Sequence, residues 1–462
     1  MITLTLAEVA RIVGGTPAGI DPDRAVSGKV EFDSRKVVPG DLFLAFEGSQ
    51  VDGHDFAAAA VEAGAVAVLA TRELPNLPSI RVDDPITAIT ALAGHAGPRL
   101  PALKVGVTGS SGKTSTKDLL AQLFEGLGPT VAPPESFNNE LGFPYTVLLA
   151  DERTRYLVLE MSARGVGHIA HLARIVAPQV GVVLNVGSAH LGEFGSVTAI
   201  AQAKGELVEA LSPEGIAVLN ADDPLVRAMA GRTRARVISF GESSEAAVRA
   251  TDVSVDTTGR ASFTLHCAGE SAPVRLSVLG EHQVSNALAA AAAALSQGAS
   301  VPDVAAGLSS AGSRSHWRME VSEVGGVTVI NDAYNANPES VRAALKSLAI
   351  MATGRRSIAV LGAMTELGPD ALAEHDGIGR LAVRLDVNAL IAVGDGARPI
   401  FSGASLEGSW NGEAEWAADN DAALQRLTEL VQPGDVVLVK GSRVTELQQV
   451  ALGLIEWLRA RG

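Results

Sequence analysis

The stretch Gly106-Val-Thr-Gly-Ser-Ser-Gly-Lys-Thr114 decides how this chain is read. Residues 104–107 before it make a short apolar strand. Residues 113–127 after it carry Leu119, Leu120, Leu123, Phe124 and Leu127 at helical spacing and close on Gly128. A glycine-rich turn there lets backbone N–H groups wrap phosphate oxygens, and the helix N-terminus adds partial positive charge. Gly109, Ser110, Ser111, Gly112, Lys113, Thr114 and Ser115 are therefore the candidate nucleotide-phosphate residues. Lys113 supplies a point charge for the β- and γ-phosphates, and Thr114 a hydroxyl for a metal ion. The strict phosphate-loop pattern has glycine where this chain has Val107; its glycines stand at 106, 109 and 112.

Working outward, strands at 156–159, 180–184, 216–219 and 237–240 alternate mostly with helices, which predicts a largely parallel sheet covered on both faces. Residues 250–278 alternate with period two and read as an inserted antiparallel patch. Upstream, a helix at 6–14, a strand at 41–46, a helix at 56–63 and a strand at 65–70 make a small unit, and Pro98 and Pro101 bracket its boundary. Downstream of Arg314, strands at 327–331, 357–361, 389–393 and 435–439 combine with helices at 338–351, 377–385 and 421–430. That is a second parallel sheet of Rossmann type, without G-x-G-x-x-G after its first strand, so nothing supports a nicotinamide site. The expected fold class is α/β in three domains: a small N-terminal domain (1–100), a central phosphate-loop domain (101–313) and a C-terminal Rossmann-like domain (314–462).

The length of 462 residues agrees with about three domains. With 47% hydrophobic and 19% charged residues the chain is globular. Acidic residues number 52 and basic ones 37, a net charge of −15. That balance, with 4% aromatics for base stacking, argues against nucleic acid or an anionic membrane surface as partner. One cysteine, Cys267, excludes an internal disulfide framework and a cysteine zinc cage; it reads as a packed or half-exposed strand residue. No stretch resembles a secretory signal or a bilayer helix, so a reducing cytoplasm is the expected compartment.

A phosphate-loop protein needs an acid near its metal. The strand at 156–159 runs into Glu160, and another strand is followed by Asn185-Val-Gly-Ser-Ala-His190. Both would face the crevice at strand C-termini, where Glu160 and His190 could meet at a hard cation such as Mg²⁺. Lys204 lies on a helix in Ala201-Gln-Ala-Lys-Gly-Glu206. By residue type alone, Glu160 also reads as a strand-end surface acid and Lys204 as a solvated lysine.

The string Thr108-Gly-Ser-Ser-Gly-Lys-Thr114, with Glu160, His190 and Lys204 behind it, resembles the Mur ligases of peptidoglycan synthesis. Their relatives, the folylpolyglutamate synthetases, share the early-glycine loop. The resemblance covers essentially the whole chain. Asp33-Ser-Arg35, Gly40-Asp-Leu-Phe43 and Asp52-Gly-His54 are similar to the uridine-nucleotide domain of the branch that acts late. Asn138-Asn-Glu-Leu-Gly-Phe-Pro144, Asn331-Asp-Ala-Tyr-Asn-Ala-Asn-Pro338 and Lys440-Gly-Ser-Arg443 are similar to the branch that adds D-alanyl-D-alanine. The Asp-Asn-Pro-Arg string of the diaminopimelate-adding sibling is absent. The chain departs from the family pattern at Met161-Ser-Ala163, His282-Gln283, Ser313–Arg318 and Gly362-Ala-Met364.

The resemblance implies an ATP-dependent ligase joining D-alanyl-D-alanine to UDP-N-acetylmuramoyl-tripeptide through an acyl phosphate, with ATP and Mg²⁺. It implies catalytic roles for Lys113, Glu160, His190 and Lys204, with Thr114, Glu160, His190 and Lys204 at the metal; in several relatives the matching lysine is carbamylated. It puts Asn286 at adenine, and Arg318 and Asp332 over the phosphates and ribose, so that domain closure completes the site. It gives Ser34 and Arg35 to the uridine diphosphate, and Asn138 and Asn139 to the space between ATP and the amine. The residues alone also allow plainer roles: Asn286 as a helix N-cap, Arg318 on the surface, Asp332 capping a loop, Asp33-Ser-Arg35 and Asn138-Asn139 as turns. A monomer is the plain expectation. The competing functions are another ligase of the superfamily, of muramoyl-peptide or folylpolyglutamate type, and a phosphate-loop regulatory NTPase.

Overall fold

The computed structural model describes residues 1–48, 51–188, 191–408 and 410–461. Three larger sheets follow one another along the chain, the first beside a two-stranded antiparallel pair of Leu4–Thr5 with Ala25–Val26. The first, of five strands, runs Thr16–Ala18, Ser79–Arg81, Ala67–Ala70, Leu42–Leu44, Val30–Glu31, and only its first pairing is antiparallel. Helix Leu6–Val13 starts at a Thr5–Glu8 capping box and stops at Gly14, whose φ of 64° a glycine adopts without steric cost. Helix Pro85–Ala96, capped by Asp84, shares an apolar core with helix Gly142–Leu149 of the next domain through Ile89, Leu92, Phe143 and Val147.

The second sheet has nine strands in the order Glu270–Leu279, Arg260–Cys267, Val248–Val255, Arg236–Gly241, Ile216–Asn220, Val180–Val183, Leu103–Thr108, Tyr156–Glu160, Thr130–Val131. All its pairings are parallel except those within the first three strands, which form the inserted antiparallel patch. Leu103–Thr108 lies between Val180–Val183 and Tyr156–Glu160, so the phosphate loop, Glu160 and the segment after 183 emerge side by side at the strands' C-terminal ends. This is where open α/β sheets place ligands. Helix Gln283–Ser296 buries its alanines on every face, as a helix enclosed by its own domain can.

The third sheet runs Glu320–Val324, Val327–Asn331, Val436–Lys440, Ser357–Gly362, Ala389–Val393, Glu413–Ala417, parallel apart from its first pairing. The helix expected at 377–385 begins six residues earlier, as Ala371–Arg384. Gly379 lies inside it and marks close packing: a Cβ there would lie 2.0 Å from the Ile400 carbonyl. That carbonyl belongs to helix Arg398–Ser405, which sequence periodicity had not revealed. No helix among the described residues is long and apolar enough to cross a membrane.

The segment joining the second and third sheets is strapped to the phosphate-loop helix, Lys113–Glu125. Gln122 exchanges two hydrogen bonds with the Gly312 backbone. Asp118 accepts from the backbone N–H groups of Arg314 and Ser315. Arg314 forks onto Glu125. Lys117 and Asp118 form a buried ion pair, and Lys117 also donates to the Pro133 carbonyl and Ser315 Oγ. Asp118→Ala leaves the Lys117 ammonium buried without its counter-charge and should cost about 3–5 kcal/mol. Calorimetric unfolding checks this; an unchanged melting temperature would show that the strap contributes nothing.

Candidate active site

The phosphate-loop helix has no side-chain N-cap; it starts from Gly112 at φ 80°. Helices whose first N–H groups are already satisfied begin differently, for example at Ser196, Ser300 and Asn337. Free N–H groups at Lys113 and beyond are what an anion requires. Gly112 has a second reason to lack a side chain: a Cβ would stand 2.3 Å from Asn286 Oδ1. The loop is braced from behind by Asn185, whose Oδ1 accepts from the N–H groups of Ser110 and Ser111 at 3.0 Å. Lys113 Nζ donates to the Gly109 carbonyl at 2.7 Å. Burial pushes its pKa below the usual lysine value, Glu160 draws it back up, and Arg318 lowers it further.

Glu160 ends its strand with 1% exposure. It accepts from Thr114 Oγ1 at 3.2 and 3.3 Å and from Asn138 Nδ2 at 2.7 Å. Those neighbours are neutral, so the carboxylate is buried without an ion-pair partner among the described residues. A buried anion in that position suits a cation supplied with the ligand. The donor set of one carboxylate, the Thr114 hydroxyl and the nearby Ser136 hydroxyl is hard oxygen, the kind Mg²⁺ uses together with substrate phosphates.

Lys204 sits in helix Val197–Glu209 with 3% exposure and no hydrogen bond to a described residue. Burial, and then the neighbouring Lys113 charge, push its pKa well below the lysine range. His190 lies outside the described residues. Asn286 is not an N-cap: it lies inside its helix, buried behind Gly112, and donates to Gln283 Oε1 at 2.8 Å. Gln283, rather than Asn286, lines a cavity of about 270 Å³ together with Ser115, Arg260 and Arg318.

The third domain contributes Arg318. Its Nη2 donates to Thr114 Oγ1 at 3.2 Å and Ser136 Oγ at 3.1 Å, and its guanidinium carbon lies 4.3 Å from the Tyr334 ring centre. Arg318 Nε is buried without a partner. Trp317 (φ 56°) and Met319 (φ 51°) flank it in the left-handed region, which bulky residues avoid at a cost of about 1–3 kcal/mol each. Asp332 maintains that arrangement: Oδ1 accepts from the Met319 N–H at 3.1 Å and Oδ2 from Lys440 Nζ at 2.6 Å. It supports the Arg318 segment and lines neither cavity. Lys440 is 2% exposed, and burial lowers its pKa against the pull of Asp332. Arg443 instead faces the main cavity, donating to Tyr334 Oη at 2.9 Å with its guanidinium carbon 5.1 Å from the same ring.

These groups surround a cavity of about 1310 Å³. Its wall takes in Phe32 from the first domain, Ser110–Ser115, Asn138, Asn139, Glu160, His168 and His171 from the second, and Arg318, Tyr334, Asn337 and Arg443 from the third. A pocket for one small molecule occupies roughly 300–1,000 Å³, so this one has room for more than one reactant. Ser34 and Arg35 lie off its wall, in a turn whose Asp33 side chain accepts from the Arg35 N–H and guanidinium. Asn139 caps the start of a helix through the Gly142 N–H and also lines the cavity. Ser136 and Tyr334 escaped sequence reasoning. Each stood inside a quoted or adjacent motif, but only the fold shows that they join Arg318 to the phosphate loop.

The chain matches the Mur ligase family catalytic domain over residues 29–92, the Mur ligase middle domain over 107–294, and the Mur ligase glutamate ligase domain over 317–443. It is 52% identical to the UDP-N-acetylmuramoyl-tripeptide–D-alanyl-D-alanine ligase of Mycobacterium tuberculosis over 98% of each chain. Its structure superposes on MurF from Acinetobacter baumannii with a TM-score of 0.86 and 31% identity, covering 98% of this chain and 99% of that one. MurF from Thermotoga maritima, solved in complex with ADP, gives a TM-score of 0.79 and 30% identity over 95% and 99%. Shared sequence over nearly the full length, and a shared three-domain architecture around one cleft, agree: the chain belongs to the Mur ligase family of ATP-dependent, amide-bond-forming enzymes.

Proposed function

We propose that this chain joins D-alanyl-D-alanine to UDP-N-acetylmuramoyl-tripeptide at the expense of ATP, in the synthesis of the peptidoglycan precursor. One observation carries the reading: a phosphate loop, a buried carboxylate with no ion-pair partner among the described residues and a third-domain arginine converge on one cavity. The 52% identity to a ligase of that name supports the substrates. A carboxylate is a poor electrophile. Its oxygen attacks the γ-phosphorus, ADP leaves, and an acyl phosphate forms. The dipeptide amine then attacks the carbonyl carbon, loses a proton, and phosphate departs.

Phosphoryl transfer of this kind depends on positioning and charge neutralisation. Lys113 and Arg318 neutralise phosphate oxygens from opposite domains. Thr114, Glu160, His190 and the carbamate of Lys204 would hold Mg²⁺, which would supply positive charge to neutralise phosphate oxygens. The smaller cavity beside Ser115 and Gln283 accepts the adenosine, with Asn286 fixing Gln283 from behind. Asn138 orients Glu160 at the edge of the amine's path, and Asn139 lines the wall beside it. Ser34 and Arg35 meet the uridine diphosphate from the first domain. The reaction is assigned to the cytoplasm and to a monomer.

The test is phosphate release from ATP with the muramoyl tripeptide, with and without D-alanyl-D-alanine, following product mass. Phosphate and a pentapeptide that both require the dipeptide support the reading; release needing neither substrate supports a regulatory NTPase. A requirement for a different amine would point to another ligase of the superfamily.

Two side chains have roles within this reading. Arg443 holds the dipeptide carboxylate. A two-residue chain spans about 7 Å, and Tyr334 places Arg443 and Arg318 on one ring. Arg443→Ala should raise KM for the dipeptide by about tenfold or more with KM for ATP unchanged; equal changes in both would remove the assignment. Lys204, buried and with its pKa pushed down by that burial, carries a carbamate formed with CO₂. Short carboxylic acids should then restore turnover to Lys204→Ala, and an absence of rescue counts against the carbamate.

A further inference from the structure

The third domain touches the second at a further place besides Arg318. Helix Pro338–Met351 starts there, with Asn337 and Ser340 exchanging cap hydrogen bonds. Its second residue, Glu339, reaches across to the second domain, where Oε1 accepts from both the N–H and the Oγ of Ser188 at 2.8 Å. Oε2 is buried and has no hydrogen-bond partner among the described residues. The carboxylate lies flat on Gly187, where a Cβ would stand 2.8 Å from Oε1 and 2.9 Å from its carbon.

This contact is part of a longer chain. Ser110 of the phosphate loop accepts from the Gly187 N–H at 2.8 Å through Oγ, and its carbonyl accepts from Asn337 Nδ2 at 3.4 Å. The phosphate loop, residues 185–188 and the start of the third-domain helix thus share one polar network. Farther along, the Gly192 N–H donates to the Glu366 carbonyl of the third domain at 3.0 Å. Gly192 and Gly368 pack so closely that a Cβ on either would lie within 2.6–2.7 Å of the other's backbone. Ser188 and Gly192 bracket position 190 in the sequence, and the third domain grips both.

We propose that Glu339 is a positioning residue for the ligation: its bonds to Ser188 hold residues 187–188, which brace Ser110 of the phosphate loop, and they exist only while the third domain is docked. The proposal rests on the functional reading above. A carboxylate with no ion pair among the described residues, stabilised by two hydrogen bonds and a helix N-terminus, pays a desolvation cost that keeps the clasp reversible. That suits a contact made and broken in each turnover. It also makes docking of the third domain and bracing of the phosphate loop one event.

The test uses the full chain and the variants Glu339→Ala, Glu339→Gln, Gly187→Ala and the double variant Gly187→Ala/Glu339→Ala. Glu339→Ala should lower kcat by about ten- to a hundredfold, as a misplacement of about 1 Å does, with KM for ATP unchanged. Glu339→Gln should recover most of the activity, because the amide oxygen accepts the same two bonds. Gly187→Ala should fall as far as Glu339→Ala, and the double variant no further, because the methyl and the missing carboxylate break one contact. Small-angle scattering with ADP should show wild type and Glu339→Gln contracting and Glu339→Ala staying extended. Wild-type kcat in Glu339→Ala, equal losses in the Ala and Gln variants, losses that multiply in the double variant, or unaltered contraction would each overturn the proposal. Scattering needs no ligation, so a wild-type enzyme that contracts with ADP but fails to use D-alanyl-D-alanine would refute the functional reading and leave this clasp measurable.

Discussion

Alanine in place of Lys113 is expected to lower kcat by roughly 10³-fold, the loss that follows removal of one preorganised charge-stabilising donor. The ammonium is half of the cationic pair that spans the two domains; Arg318 is the other half. In the absence of phosphate its one hydrogen bond is to a loop carbonyl, and burial already disfavours its charge. Removing it therefore takes away a desolvated cation rather than a stabilising pair, and the melting temperature should hold. Arginine should not restore activity, because a planar fork cannot occupy the space of a compact ammonium. Phosphate release with both substrates present measures the effect. A loss below about tenfold would mean that the lysine is incidental to the turn.

The second large effect concerns stability and turnover together. Asp332→Ala leaves Lys440 ionised and buried, or forces it neutral, and should destabilise the third domain by about 3–5 kcal/mol. It also removes the acceptor for the Met319 N–H, so the strained backbone on which Arg318 stands relaxes and the guanidinium drifts from Thr114. Replacing both members, Asp332→Leu with Lys440→Met, separates the two consequences. Well-packed apolar side chains often match a buried ion pair in stability, so the melting temperature should return while kcat stays low. Recovery of both would show that the pair only holds the fold.

The phosphate loop was legible because its chemistry is local. Strand, turn, Lys113, Thr114 and helix are contiguous, and each local preference agrees with the final structure. Glu160 was legible for a similar reason: a strand end in a parallel sheet points at the crevice. What could not be read was which side chain of a motif faces inward. In Lys440-Gly-Ser-Arg443 the lysine is locked to Asp332 and only the arginine reaches the cavity. In Gln283–Asn286 the two amides bond one another, and the first, not the second, lines the smaller cavity. Such choices are set by contacts between residues more than a hundred positions apart, as with Ser188 and Glu339. The helix Arg398–Ser405 was missed because Gly403, which permits its tight packing, looks in sequence like a break.

The strap along the phosphate-loop helix ends at Ser315, three residues before Arg318. Three residues of extended chain reach about 10 Å. The arginine is therefore on a short leash whose fixed end belongs to the domain it acts upon, although its side chain moves with the other. A group tethered so closely has a local concentration on the order of millimolar at its target. Were the third domain to swing away to admit substrates or release products, its guanidinium would not join the bulk; the swing would change only the direction in which it points.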